Sequence, residues 1–309
     1  MLLDVFIYAA VLPFSVAAVV ALAARRLRLG RGVAWAWSIA LAYGVAHVAL
    51  AGYTSLLQPR EAVHWLPHAA LLAAGIAMLQ SGTIPALRSG AIVLSAAVCL
   101  GLPLRLLANS AYVTLRWSPL EKFACISLLF ATSALTWLLL GSAGDDEHPR
   151  LRPLLSIVVA TGAAVVIALS GVFVYGELCG VVAAALTGAA ASAVADDPRY
   201  PRIRVPFIPL RSAPSPWLLS SAAGAITCTL GGLIVLGCFY GELLPMNAAL
   251  LFVSLWMSAG RLPRALMNFP PLLQAALRIG LCLVPLGIAL ARAVTAAQAD
   301  MSAGPYAIH

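Results

Sequence analysis

"MLLDVFIYAAVLPFSVAAVVALAARR", residues 1–26, sets the reading of the whole chain. Its apolar run carries one charge, Asp4, before it ends on the pair Arg25 and Arg26. A helix needs about 20 such residues to cross a bilayer core of about 30 Å. A secretory signal is the competing reading, because "ALA" at 21–23 resembles a cleavage site. Against it, no positive segment precedes the apolar run, Asp4 is acidic, and the arginines follow. The stretch is therefore expected to be a retained first span with its N-terminus outside.

The rest of the chain repeats that pattern. Of 309 residues, 62% are hydrophobic and 10% charged, with a mean hydropathy of +0.97. Soluble domains are about a quarter charged. The composition predicts an all-α polytopic integral membrane protein with about ten transmembrane helices. They fall at 3–24, 33–57, 62–80, 91–115, 120–141, 153–175, 177–195, 217–240, 243–260 and 271–296, the ninth being short. Residues 1–309 read as a single transmembrane domain. Two longer connections, 142–152 and the proline-rich 196–216, are too small for a soluble domain.

The formal net charge is +8, and Lys122 is the only lysine. A basic balance raises nucleic acid as a partner. Here the arginines sit in short connections between apolar runs, so no nucleic-acid partner is expected. With the N-terminus outside, thirteen arginines fall on inner connections. Arg60, Arg116, Lys122 and Arg292 fall on the outer side. That asymmetry is the positive-inside pattern. It places the protein in the cell's inner membrane with both termini outside. The bilayer is the expected partner, and membrane-protein partners or a homo-oligomer are compatible with it. The six cysteines lie in or beside apolar runs without metal-binding spacing, as small buried hydrophobes do.

A repeated motif stands out against this background. "VFVYGEL" (172–178) and "CFYGEL" (238–243) share Tyr-Gly-Glu-Leu. "TSLLQPRE" (54–61) and "TLRWSPLE" (114–121) share Thr, four residues, Pro, one residue, Glu. Glu61, Glu121, Glu177 and Glu242 thus take matching places in four successive hairpins, 33–80, 91–141, 153–195 and 217–260. These are read as tandem repeats of parallel orientation. One reading of the glutamates is local: they start helices, where their charge suits the positive dipole end. Gly176 and Gly241 would then be left-handed caps, and Tyr175 and Tyr240 interfacial aromatics. The other reading is a ring of carboxylates at an outer vestibule that binds a cation, passes protons or orients a cationic substrate.

Further polar residues add to the candidates. Arg105 would lie about 18 Å from the outer end of its span at 1.5 Å per residue. There it would need Asn109 and a hairpin glutamate as partners, unless the span ends near Leu104. "REAVHWLPH" places Glu61, His64 and His68 on one helix face. His47 would lie about 15 Å below the end of the preceding span. Together His47, His64 and His68 are ligands that a transition metal or a haem accepts. They equally suit a proton relay or interfacial hydrogen bonding. No cofactor is otherwise expected.

No phosphate-binding glycine loop is present. "ALSGVF" around Ser170 resembles a membrane serine nucleophile, but no later span supplies a histidine. Asp145–Asp146 and Asp196–Asp197 lie in inner connections, where acidic pairs are ordinarily solvated. The sequence therefore favours a carrier or channel-like transporter of a cation, proton or small solute. A non-catalytic subunit of a larger membrane complex is the alternative. An intramembrane enzyme acting on a lipid is weaker, for want of a catalytic set.

Overall fold

The computed structural model describes residues 2–27, 29–82, 84–108, 110–142, 151–195, 220–259 and 269–303. Among them the chain is helical, with no strand. Among the described residues nine helices are long and apolar enough to cross a membrane, and a tenth apolar helix is shorter. They are α1 (Leu3–Ala24), α2 (Gly32–Ala51), α3 (Ala62–Ser81), α4 (Pro85–Leu107) and α5 (Pro119–Gly141). After these come α6 (Leu151–Leu169), α7 (Phe173–Val194), α8 (Ser220–Tyr240), the short α9 (Pro245–Ala259) and α10 (Leu272–Ala299). The protein is a polytopic all-α membrane protein. Asn109, the acidic pairs at 145–146 and 196–197, and loop 196–216 lie outside the described residues.

The span edges shift where turn chemistry overrides hydrophobicity. Helix α2 stops at Ala51, because Gly52 turns the chain at φ +82°. A short helix, Thr54–Leu57, follows. Helix α4 starts at Pro85 and ends at Leu107, and Ser110 caps a separate short helix, Ala111–Arg116. Both "TSLLQPRE" and "TLRWSPLE" therefore build the same device: a long helix, a short helix, a proline, then a capped long helix.

The two Tyr-Gly-Glu-Leu copies do not. Between α6 and α7 the turn is made by Gly171, at φ +83°. Tyr175, Gly176 and Glu177 already lie inside α7. Between α8 and α9, Tyr240 ends the helix, and Gly241 is extended (φ −123°, ψ −168°), not left-handed. The expected capping role for Gly176 and Gly241 is thus replaced. Gly176 is needed for contact, since a Cβ there would lie 2.9 Å from the Ala164 carbonyl and the Ala168 methyl of α6. A Cβ on Gly241 would strike Val172.

Packing follows from small residues. Within each hairpin the partners touch: α2 with α3, α4 with α5, α6 with α7, α8 with α9. Helix α8 is the most buried span and packs against α2, α3, α4, α5, α6, α7 and α9. Its glycines admit neighbours: Leu66 of α3 seats on Gly232, and Trp137 of α5 lies on Gly224. Without a hydrophobic drive between helices in lipid, such close backbone approach is what holds them. Polar ties also cross between helices. Trp256 donates to Thr136 Oγ1 at 2.8 Å, and Arg292 donates to Asn247 Oδ1 at 3.2 Å. Mid-way, α8 contains one π-turn, Thr227–Gly231. Thr229 Oγ1 donates to the Ala225 carbonyl at 2.7 Å there, satisfying a backbone group within the irregular turn.

Candidate functional site

The four hairpin tips meet at one end of the bundle, around the last residues of α8. The Trp117 ring, before α5, packs edge-on to Phe239 at 5.8 Å. The Tyr240 hydroxyl donates to the Leu106 carbonyl at the end of α4, at 2.7 Å. Glu242 lays a carboxylate oxygen over Gly171, 3.6 Å from where a Cβ would stand. Tyr175 lies within electrostatic reach of Glu61 and Tyr240.

The glutamates differ in what occupies them. Glu121 is exposed and accepts from the Ser118 N–H at 2.7 Å and the Ser118 hydroxyl at 2.8 Å, completing a capping box. Glu242 is exposed in the linker before α9, and Glu177 is half-buried within α7. Among the described residues no hydrogen bond or ion pair joins any two of the four. Glu61 is the one that leads inward.

Glu61 begins the first turn before α3. Its backbone N–H donates to His64 Nδ1 at 3.4 Å. That acceptor role leaves the ring proton on His64 Nε2, which stands 3.9 Å from a Glu61 carboxylate oxygen. The His64 ring meets the His47 ring edge-on, with centroids 5.5 Å apart. One turn deeper on α2, Tyr43 lies 6.0 Å from His47. Exposure falls steadily along this file: 74% for the Glu61 side chain, 15% for His64, 1% for His47, 0% for Tyr43. Both His47 nitrogens and the Tyr43 hydroxyl are buried without a hydrogen-bond partner. Buried polar side chains are nearly always bonded, and an ionisable group within a span marks function by default.

His47 sits one turn from the end of α2, about 6 Å by the helical rise. That is shallower than the expected 15 Å, because the helix stops at Gly52. Tyr43 was not among the sequence candidates. Its signal was the i, i+4 spacing to His47, which in an apolar helix also describes ordinary core.

His68 departs from the file. Its Nδ1 faces the His64 carbonyl and its Nε2 the Leu56 carbonyl, both at 3.0 Å. Both ring nitrogens are thereby engaged, so the expected set His47, His64 and His68 does not converge on one centre. Among the described residues no group of three or more His, Cys, Asp or Glu is placed to hold a metal ion. His68 packs instead on Trp65, with ring centroids 5.7 Å apart.

Arg105 lies in the last turn of α4, exposed, its guanidinium 4.2 Å from the centroid of the Trp65 ring. The expected glutamate counter-ion is replaced by this aromatic face, because the helix end brings the arginine to the interface. Ser170 donates to its own helix, to the Val166 carbonyl at 2.9 Å, as a hydroxyl at a helix end does.

A cavity of about 340 Å³ opens between α3 and α4. It is lined by Trp65, Leu72, Leu94, Val98 and Leu102, with His68 and Arg105 at its upper end. None of the four glutamates lines it. No family model matches the chain, and no curated protein or solved structure matches it either.

Proposed function

We propose that this protein is a carrier or channel-like transporter of a small cation, foremost the proton, admitted at the hairpin-tip end. The observation that carries this reading is His47. It is an imidazole sealed from water, with both nitrogens unpartnered, joined to the surface through His64 and Glu61. Imidazoles and a carboxylate can each take up and release a proton, so the file is chemically suited to pass a proton or to hold a cation in transit. Tyr43, about 12 Å from the end of α2 by the helical rise, marks how far the file reaches. The π-turn in α8 supports the same reading, since such turns recur at functional sites.

The test is flux in proteoliposomes containing a pH-sensitive dye, with protons, sodium and potassium offered in turn. Wild type is expected to carry at least one of them. His47→Gln and Glu61→Gln should each slow it at least about tenfold, equivalent to ~1.4 kcal/mol on the barrier. A wild-type rate in His47→Gln would overturn the reading.

A second reading has its own support: a non-catalytic subunit of a membrane complex. Helix α8 is packed solidly, with Leu66 and Trp137 seated on its glycines. A subunit would carry no flux alone and would copurify in mild detergent with a defined membrane partner.

A further inference from the structure

We infer that the slot between α3 and α4 is a binding site for an anionic phospholipid, one acyl chain in the slot and the phosphate on Arg105. This inference does not rest on the carrier reading. It uses other side chains, those of α3 and α4 that line the slot.

The slot has the two ends such a molecule requires. Its walls are apolar side chains of α3 and α4, with Leu72 and Leu94 at the deep end. From Arg105 to Leu94 is eleven residues, about 16 Å along the helix. That length is hydrocarbon throughout, and it opens sideways, where Leu72 and Leu94 are exposed. The upper end is cationic. The Arg105 guanidinium carbon stands 4.2 Å from the centroid of the Trp65 ring, and the residue is exposed. Among the described residues no carboxylate pairs with it. An exposed guanidinium can meet a phosphate with two parallel hydrogen bonds. His68 lines the same end, its ring nitrogens each 3.0 Å from a backbone carbonyl, of His64 and of Leu56.

Charge complementarity selects the ligand. A fatty chain alone leaves the arginine unmatched, and a free phosphate leaves the slot unfilled. A zwitterionic lipid brings its own cation beside Arg105. An anionic phosphodiester with an acyl chain matches both ends. Gly101 lines the slot as well, and a Cβ placed there meets nothing within 4 Å. The slot is open at that point, so it can be filled by substitution without displacing a neighbour.

The experiment is native mass spectrometry of the full chain after exhaustive delipidation. Phosphatidylglycerol, phosphatidylcholine of matched chains, and inorganic phosphate are titrated back. Wild type is expected to retain one phosphatidylglycerol roughly tenfold more tightly than phosphatidylcholine, the size of one charge-assisted pair. Arg105→Gln should erase that preference, and Arg105→Lys should restore only part of it, because the fork is lost. Gly101→Leu should weaken retention of both lipids; Leu94→Trp fills the same slot should that variant fail to fold. Three results would each overturn the proposal: equal retention of the two lipids by wild type, an unchanged preference in Arg105→Gln, or full displacement of the lipid by inorganic phosphate.

Discussion

A buried imidazole without a partner is a burden on stability. Leaving such a group unbonded costs about 1–3 kcal/mol in protein interiors. His47 bears that cost beside Tyr43, whose hydroxyl is also unpartnered. Replacing His47 by Phe keeps the ring contacts and removes the orphaned nitrogens. The variant is expected to unfold at a higher temperature in detergent, by about 1 kcal/mol of added stability, while losing flux. A lower midpoint would mean that the imidazole is satisfied and the file unimportant. Ser118→Ala should behave oppositely. It removes a helix cap worth about 1 kcal/mol and leaves flux intact, which a paired stability and flux measurement checks. Much at this scale was legible in the sequence. Glu61, His64 and His47 are rare polar letters in apolar runs, and the first two share a helix face. Tyr43 was not legible, because a tyrosine in such a helix reads as core. His68 misled for another reason: the carbonyls of His64 and Leu56 that occupy it belong to a turn the sequence does not draw.

At the scale of elements, apolar runs located the ten long apolar helices among the described residues, but their ends belong to turns. Hydrophobicity alone would carry α4 to residue 115. Ser110 and the short helix it caps end it at Leu107, moving Arg105 from the hydrocarbon to the rim. The duplicated Tyr-Gly-Glu-Leu shows the same limit. Identical letters sit inside one helix and beyond the end of another, so their glycines are held by different forces. Gly171→Ala meets a positive φ and should destabilise by about 1 kcal/mol. Gly176→Leu meets the α6 backbone and should destabilise by about 1–3 kcal/mol through overpacking. Gly90 faces open space, and Gly90→Ala should be stabilising or neutral. Denaturation midpoints of the three variants test the ranking.

For the whole molecule, the tips gather on α8, and among the described residues Arg26, Arg88 and Arg152 lie at the opposite end. The proposed orientation puts the tips outside. In a background lacking the six native cysteines, cysteine at Leu57 or Leu120 should react with an impermeant maleimide in intact cells. Cysteine at Leu27 or Ile84 should react only after lysis. The reverse pattern would invert the orientation and turn the carrier's mouth toward the cytoplasm. The π-turn at Thr227–Gly231 precedes the part of α8 on which the tips gather. An α-helix advances about 100° per residue, so its wider turn sets the azimuth of everything after it. Deleting one residue there would swing Phe239 and Tyr240 by about that angle, away from Trp117 and the Leu106 carbonyl. The tip between α4 and α5 would lose its contacts with α8 through a change in the middle of another span. The bundle thus behaves as a lock whose wards are cut at one end and indexed from the middle.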